Sequence, residues 1–295
     1  MIDYDPKNWR SHLLDIKGSM VRQITWRVLT CFAWSVAVVC FDKFVFRTEV
    51  PSTGHVLVGV SLGLLLVFRT NSSYDRFWEG RKLWGGIVNE TRNLARATAA
   101  VMPNSPDVVR RVILWTIAFP YACMHLLRGS EGMGPTIGEL PEDQVALTLK
   151  SNHVPLAIAR RISEELNAAR EAGIISDIQQ MTVDQNVQLL IDYIGACERI
   201  HKTPMPFAYM VHLRRAIIIY CFTLPFALVK DFGWWTIWAV LLVSYLMYGI
   251  EEIGVEIEDP FGRDDNDLPL ERFCQGIEET LRGVLPSPSS GGKSE

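Results

Sequence analysis

Apolar residues gather in five long runs separated by polar stretches. Val28–Phe41, VLTCFAWSVAVVCF, lies between Arg27 and the pair Asp42–Lys43. With Trp26 and the aromatics Phe44 and Phe46 at its ends it reaches about 20 residues, enough to cross a bilayer, and Trp26 suits the interface. Val56–Phe68 is apolar and stops at Arg69, with Pro51–Gly54 forming the turn before it. Val60, Leu64 and Phe68 recur every four residues and share one face of a helix. Gly59, Ser61 and Gly63 are interleaved, and small residues let helices approach closely. At about 13 residues the run is shorter than a bilayer requires, although the neighbouring Ser, Thr and His residues extend it. It reads either as a buried helix packed by its leucines or as a membrane helix whose Val60–Leu64–Phe68 stripe faces a pore.

Ala216–Val229 and Trp234–Ile250 follow one another so closely that the Lys230–Gly233 link demands an antiparallel helix pair. Pro225 kinks the first, as membrane helices tolerate. Trp234, Trp235 and Trp238 form an aromatic belt at one end of the second, with Tyr245 and Tyr248 toward the other. Val112–Leu127 contains Pro120 and His125 and has arginines at both ends, so it reads equally as a span or as a buried helix. Spans at the other four runs place the arginines after the second and before the third on one side, the cytoplasm. A fifth span would separate them.

The remaining stretches are polar. Residues 1–22 read as a short amphipathic helix at the membrane surface or on the cytoplasmic body. Past Phe68, Arg69, Arg76, Arg81, Lys82, Arg92 and Arg96 read mostly as a solvated helix face, partly paired with Asp75, Glu79 and Glu90. Residues 129–155 are loop-like, 156–203 form amphipathic helices with a break near Gly173, and a last helix runs to about Leu285. The tail, 286–295, has the composition of a disordered segment.

Composition adds limits. The chain has 295 residues, 48% of them hydrophobic, and a net charge of -4, which leaves no basic footprint for nucleic acid. Its mean hydropathy is +0.13. The six cysteines form no CxxC pair, and those in apolar runs read as small core or lipid-facing residues. The first ten residues lack the apolar core of a signal peptide.

Chemical motifs are sparse. Glu198 and His201 have the ExxH spacing of helical di-iron sites, but no second ExxH exists. Glu251, Glu252, Glu256, Glu258, Asp259, Asp264, Asp265 and Asp267 could bind a hard cation, without an EF-hand pattern. There is no phosphate-binding glycine loop and no nucleophile elbow.

Three stretches carry a family resemblance: FRTNSSYDRFWEGRKLWG after the second run, ERIHKTPMPFAY before Ala216–Val229, and EDPFGRDDNDLPLE after Trp234–Ile250. In order and content they resemble the bestrophins, bacterial branch, from about Trp9 to the last helix. The resemblance implies an all-α integral membrane protein with one channel domain over 1–285. It implies four spans near 26–46, 54–70, 212–230 and 233–250, and cytoplasmic helices over 71–205 and 251–285, Val112–Leu127 among them. It further implies a homopentamer around a central pore in the bacterial inner membrane, with both termini cytoplasmic. Its partners would be its own copies, lipid and small monovalent ions, with no enzymatic step and no cofactor.

By the same resemblance Val60, Leu64 and Phe68 form an apolar pore neck, and Ile178, beside Asp177, forms a cytoplasmic aperture. On sequence alone Ile178 is an ordinary core isoleucine. In animal members an acidic cluster clasps calcium; the matching positions are Glu256, Asp259, Asp264 and Asp267, but Arg263 and Asn266 interrupt the set, so calcium is not counted as a cofactor. A neck with one aromatic and an acid at the aperture inclines the reading to cations such as sodium, with chloride as the alternative. Two other classes compete: a membrane metalloenzyme using Glu198, His201 and the acidic stretch, and a membrane-anchored scaffold.

Overall fold

The computed structural model describes residues 18–47 and 50–285. The expected amphipathic segment before residue 18 and the tail after 285 lie outside the described residues. Among the described residues there are helices and loops but no strand. In chain order the helices are α1 (Val21–Phe44), α2 (Ser52–Val101), α3 (Pro106–Leu127), α4 (Glu142–Leu149), α5 (Val154–Glu171), α6 (Asp177–Lys202), α7 (Phe207–Phe232), α8 (Thr236–Glu256) and α9 (Leu270–Arg282). Short 3-10 turns fall at Pro135–Glu139 and Gly233–Trp235.

The chain divides into two compact units, the first containing residues up to Trp78 and Pro204–Pro260, the second Glu79–Thr203 and the last helix. In the first, α1, α7 and α8 pack together with the beginning of α2. Ile24, Val28, Cys31, Leu62, Leu66, Leu213, Ile217, Cys221, Leu224, Val240 and Tyr248 make its core. Three helical stretches among the described residues are long and apolar enough to cross a membrane: Val21–Phe44, Ser52–Val101 and Phe207–Glu256. The last is a hairpin. Arg214 Nε donates to Glu251 Oε1 at 2.8 Å, whereas 37 residues of straight helix would separate them by about 55 Å. The reversal falls at Gly233, whose φ of 52° suits a residue without a Cβ. Pro225 cannot donate to the Cys221 carbonyl, and next to that break the Trp34 indole donates to the Phe222 carbonyl at 2.8 Å.

α2 continues for 50 residues, far beyond the apolar run. Polarity changes at Arg69 but conformation does not, because the charged stretch holds no proline before Pro103 and keeps good helix formers. The second unit centres on α3. Val112 to Pro120 are buried without a break, with Trp115 and Phe119 both at 0% exposure. α5, α6 and α9 cover it. Other helices rather than lipid account for its apolar surface, and α3 is not among the membrane-length helices. The expected break between the amphipathic helices α5 and α6 falls at Gly173. All six cysteines are free; Cys40 is half-buried and the others are buried.

Candidate functional site

The stripe Val60, Leu64 and Phe68 is exposed at 62%, 57% and 64%, while Leu62 and Leu66 on the opposite face are at 2%. One face of α2 is thus held by the core of the first unit and the other presents apolar side chains outward. A turn later the exposed arc becomes polar, at Asn71 and Asp75. The Tyr209 hydroxyl donates to the Leu65 carbonyl at 3.1 Å, tying α7 to α2 beside the stripe.

The stripe ends at a buried charge. The Arg69 side chain has 0% exposure and meets Glu258. Its Nη2 donates to Glu258 Oε2 at 2.6 Å and its Nη1 to Ser73 Oγ at 2.5 Å. A Cβ on Gly254 would lie 3.3 Å from Arg69 Cγ, so the arginine stem runs tightly over a residue without a side chain. Glu258 also accepts the Met205 amide at 2.8 Å through Oε1, and its carbonyl accepts Arg76 Nε at 3.1 Å. A desolvated guanidinium is tolerable only with such partners. This corrects the solvated-face reading for Arg69, and Arg76 turns to the same residue. Sequence periodicity missed the site because its acceptor lies 189 residues away.

The acidic stretch is folded on itself. Asp267 Oδ2 accepts the Asp264 amide at 2.7 Å, and the Asn266 side-chain amide donates to the Gly18 carbonyl at 3.1 Å. Asp267 is 3% exposed. Burial pushes its carboxyl up to about 6, with Asp264, Asp259 and Glu256 adding to the rise against the Asp264 amide bond. Among the described residues no group of three or more His, Cys, Asp or Glu side chains is arranged to hold a metal ion.

In the second unit, Ser176 caps α6 in a reciprocal capping box with Gln179. Ile178, in the first turn, is 73% exposed. It is not a core residue, contrary to what its sequence alone suggests. The Asp177 side chain is 86% exposed and reaches Arg170 at 3.4 Å. Glu198 accepts Lys202 Nζ at 2.6 Å and sits 3.1 Å from His153 Nε2. Burial raises the Glu198 carboxyl, but these two partners outweigh it and hold it below the usual carboxylate range. Lys202 and His153, rather than a metal centre built with His201, account for the Glu198 contacts.

Comparison with known proteins gives one answer. A family model described as Bacterial/Fungal Bestrophin protein matches residues 1–283. A voltage-dependent anion channel-forming protein of Synechocystis sp. is 39% identical over 287 residues, covering 96% of this chain and 94% of the relative. One from Nostoc sp. is 40% identical over 280 residues, covering 93% and 91%. The crystal structure of a bacterial bestrophin homologue from Klebsiella pneumoniae superposes with a TM-score of 0.84 at 32% identity, covering 90% of this chain and 100% of that one. The chain belongs to the bacterial/fungal bestrophin family, a family of ion channels and not of enzymes.

Proposed function

We propose that this protein is a membrane channel through which small monovalent ions pass passively, assembled as a homopentamer around a central pore. The observation that carries the reading is the exposed Val60–Leu64–Phe68 stripe on a helix whose opposite face is buried. Five such stripes facing one axis make an apolar neck. An ion must shed hydration there without gaining polar contacts, so a narrow, dry neck closes and a wetted one conducts.

Each subunit crosses the bacterial inner membrane four times, counting α1, the apolar start of α2, and the two arms of the α7–α8 hairpin. The arginines after the neck and the pair Arg214–Arg215, within α7 and ahead of its apolar run, then lie together in the cytoplasm, as do both termini. Ile178 and Asp177 form the cytoplasmic aperture. Isoleucine rings impose a dehydration cost that differs among ions, and exposed carboxylates concentrate cations by focusing the potential. The neck is uncharged and Arg69 is buried against Glu258. Asp177, although it meets Arg170 at 3.4 Å, keeps an 86% exposed side chain, so it sets a preference for cations such as sodium. Anion permeation is a second reading, supported by the Synechocystis and Nostoc relatives, which are described as voltage-dependent anion channel-forming proteins. Reconstitution in a planar bilayer under a salt gradient tests both, since the sign of the reversal potential separates them and silence in correctly assembled protein refutes the channel.

A further inference from the structure

Where α1, α7 and α8 meet around Glu251, a cavity of about 330 Å³ is lined by Trp26, Arg27, Arg214, Ile218, Phe222 and Glu251 among others. Its base is ionic. The Glu251 side chain is 2% exposed and is reached by Arg214 at 2.8 Å and by Arg27 at 3.5 Å. Arg27 Nη1 also meets Glu252 at 2.6 Å. These contacts use one nitrogen of each guanidinium, and each guanidinium carries five N–H donors. The two arginine side chains remain 44% and 51% exposed. Glu251 thus holds both guanidinium groups in place without exhausting them. Arg22 and Arg215, both exposed, add positive charge at the same helix ends. Above this base the walls are apolar, with Trp26 at 78% and Ile218 at 48% exposure.

We propose that this cavity binds an anionic phospholipid, its phosphate on Arg27 and Arg214 and an acyl chain along Trp26, Ile218 and Phe222. Arg27 and Arg214 both line the cavity and keep N–H donors that Glu251 and Glu252 do not occupy, which a phosphate can accept. The apolar walls favour a lipid over free phosphate, because an inorganic ion would leave them wet. Basic pockets between membrane helices hold anionic headgroups in this way, and Trp sits naturally at that depth. The volume lies within the range of about 300–1,000 Å³ usual for small-molecule sites. The inference rests on the membrane placement of the first unit and not on permeation.

Native mass spectrometry of the full chain, released from detergent micelles doped with phosphatidylglycerol or phosphatidylcholine, reads retention directly. Phosphatidylglycerol is expected to stay bound and phosphatidylcholine to be lost. Arg27→Gln and Arg214→Gln each weaken retention about fivefold, as expected for about 1 kcal/mol per basic residue at an anionic surface. Ile218→Trp fills the apolar wall while sparing the ion pairs, so it abolishes retention at an unchanged unfolding temperature and separates a lost site from a lost fold. The proposal is overturned by equal retention of the two lipids, by parental retention in Ile218→Trp, or by inorganic phosphate binding as tightly as the lipid. Efficient disulfide formation between copies carrying Trp26→Cys would also overturn it, since a second subunit would then cover the groove.

Discussion

Arg69 directly follows Phe68 in α2 and donates to Glu258 Oε2 at 2.6 Å from a side chain with 0% exposure. The last residue of the proposed neck is therefore one peptide away from an ion pair anchored beyond α8. Any rotation of α2 at Phe68 must move or break that pair.

The two halves of the pair are not equivalent. Glu258→Gln keeps an acceptor for the Met205 amide but leaves the buried guanidinium without a counter-charge, a loss on the order of 3–5 kcal/mol. Arg69→Met removes the buried charge itself and leaves Glu258, which is 15% exposed, with its amide donor. Thermal unfolding of the full chain in detergent is expected to show the larger drop for Glu258→Gln. A parental unfolding temperature for that variant would show that Arg69 does not depend on Glu258.

Exposure separates the proposed neck from the core along one helix. Replacing Val60, Leu64 and Phe68 together with Ala is expected to raise conductance and open fraction, with stability changed by about 0.5 kcal/mol or less per site. Leu62→Ala or Leu66→Ala, each at a residue 2% exposed, is expected to cost about 2–5 kcal/mol. Severe destabilisation of the triple variant would place the stripe in a packed interface instead of a pore.

Asp267 predicts a pH signature. Its folded-state pKa, about 6, lies above the ordinary 3.8 because of burial. Between these values the folded chain binds more protons than the unfolded one, so this group costs stability progressively as pH rises from about 4 to about 6. Asp267→Asn keeps an oxygen for the Asp264 amide and removes that cost. The variant is expected to be more stable than the parent above pH 6, by 3 kcal/mol or less on the order-of-magnitude scale of about two pKa units, with the gap closing toward pH 4. An equal gap at pH 4 and pH 8 would contradict the assignment.

The proposed aperture gives two separable effects. Ile178→Ala is expected to raise conductance and flatten discrimination among ions of like sign. Asp177→Asn lowers cation preference, chiefly at low salt, since exposed charges are screened over about 10 Å at 0.1 M. Its contact with Arg170 at 3.4 Å limits the size of that change. Parental behaviour of both variants in bilayer recordings would place the aperture elsewhere.

What was legible in the sequence followed from local pattern. The four-residue recurrence of Val60, Leu64 and Phe68 placed them on one helix face because helical periodicity is local, while whether that face is covered was not legible there. The short link at Gly233 announced the hairpin for the same reason. Val112–Leu127 could not be assigned by pattern, since a helix wrapped by other helices and one wrapped by lipid have the same apolar circumference. Arg69 was misread as solvated because its partner Glu258 is brought to it only by the tertiary fold. Local pattern alone gives Ile178 as a core residue, whereas at 73% exposure it lies outward at the start of a capped helix, a position that periodicity does not fix.

The most direct test of the account is single-channel recording of the purified full chain in a planar bilayer under a salt gradient. The account predicts discrete currents, larger in the Val60/Leu64/Phe68→Ala variant, that reverse toward the cation equilibrium potential. Correctly assembled protein that passes no current, or a triple variant indistinguishable from its parent, would contradict it.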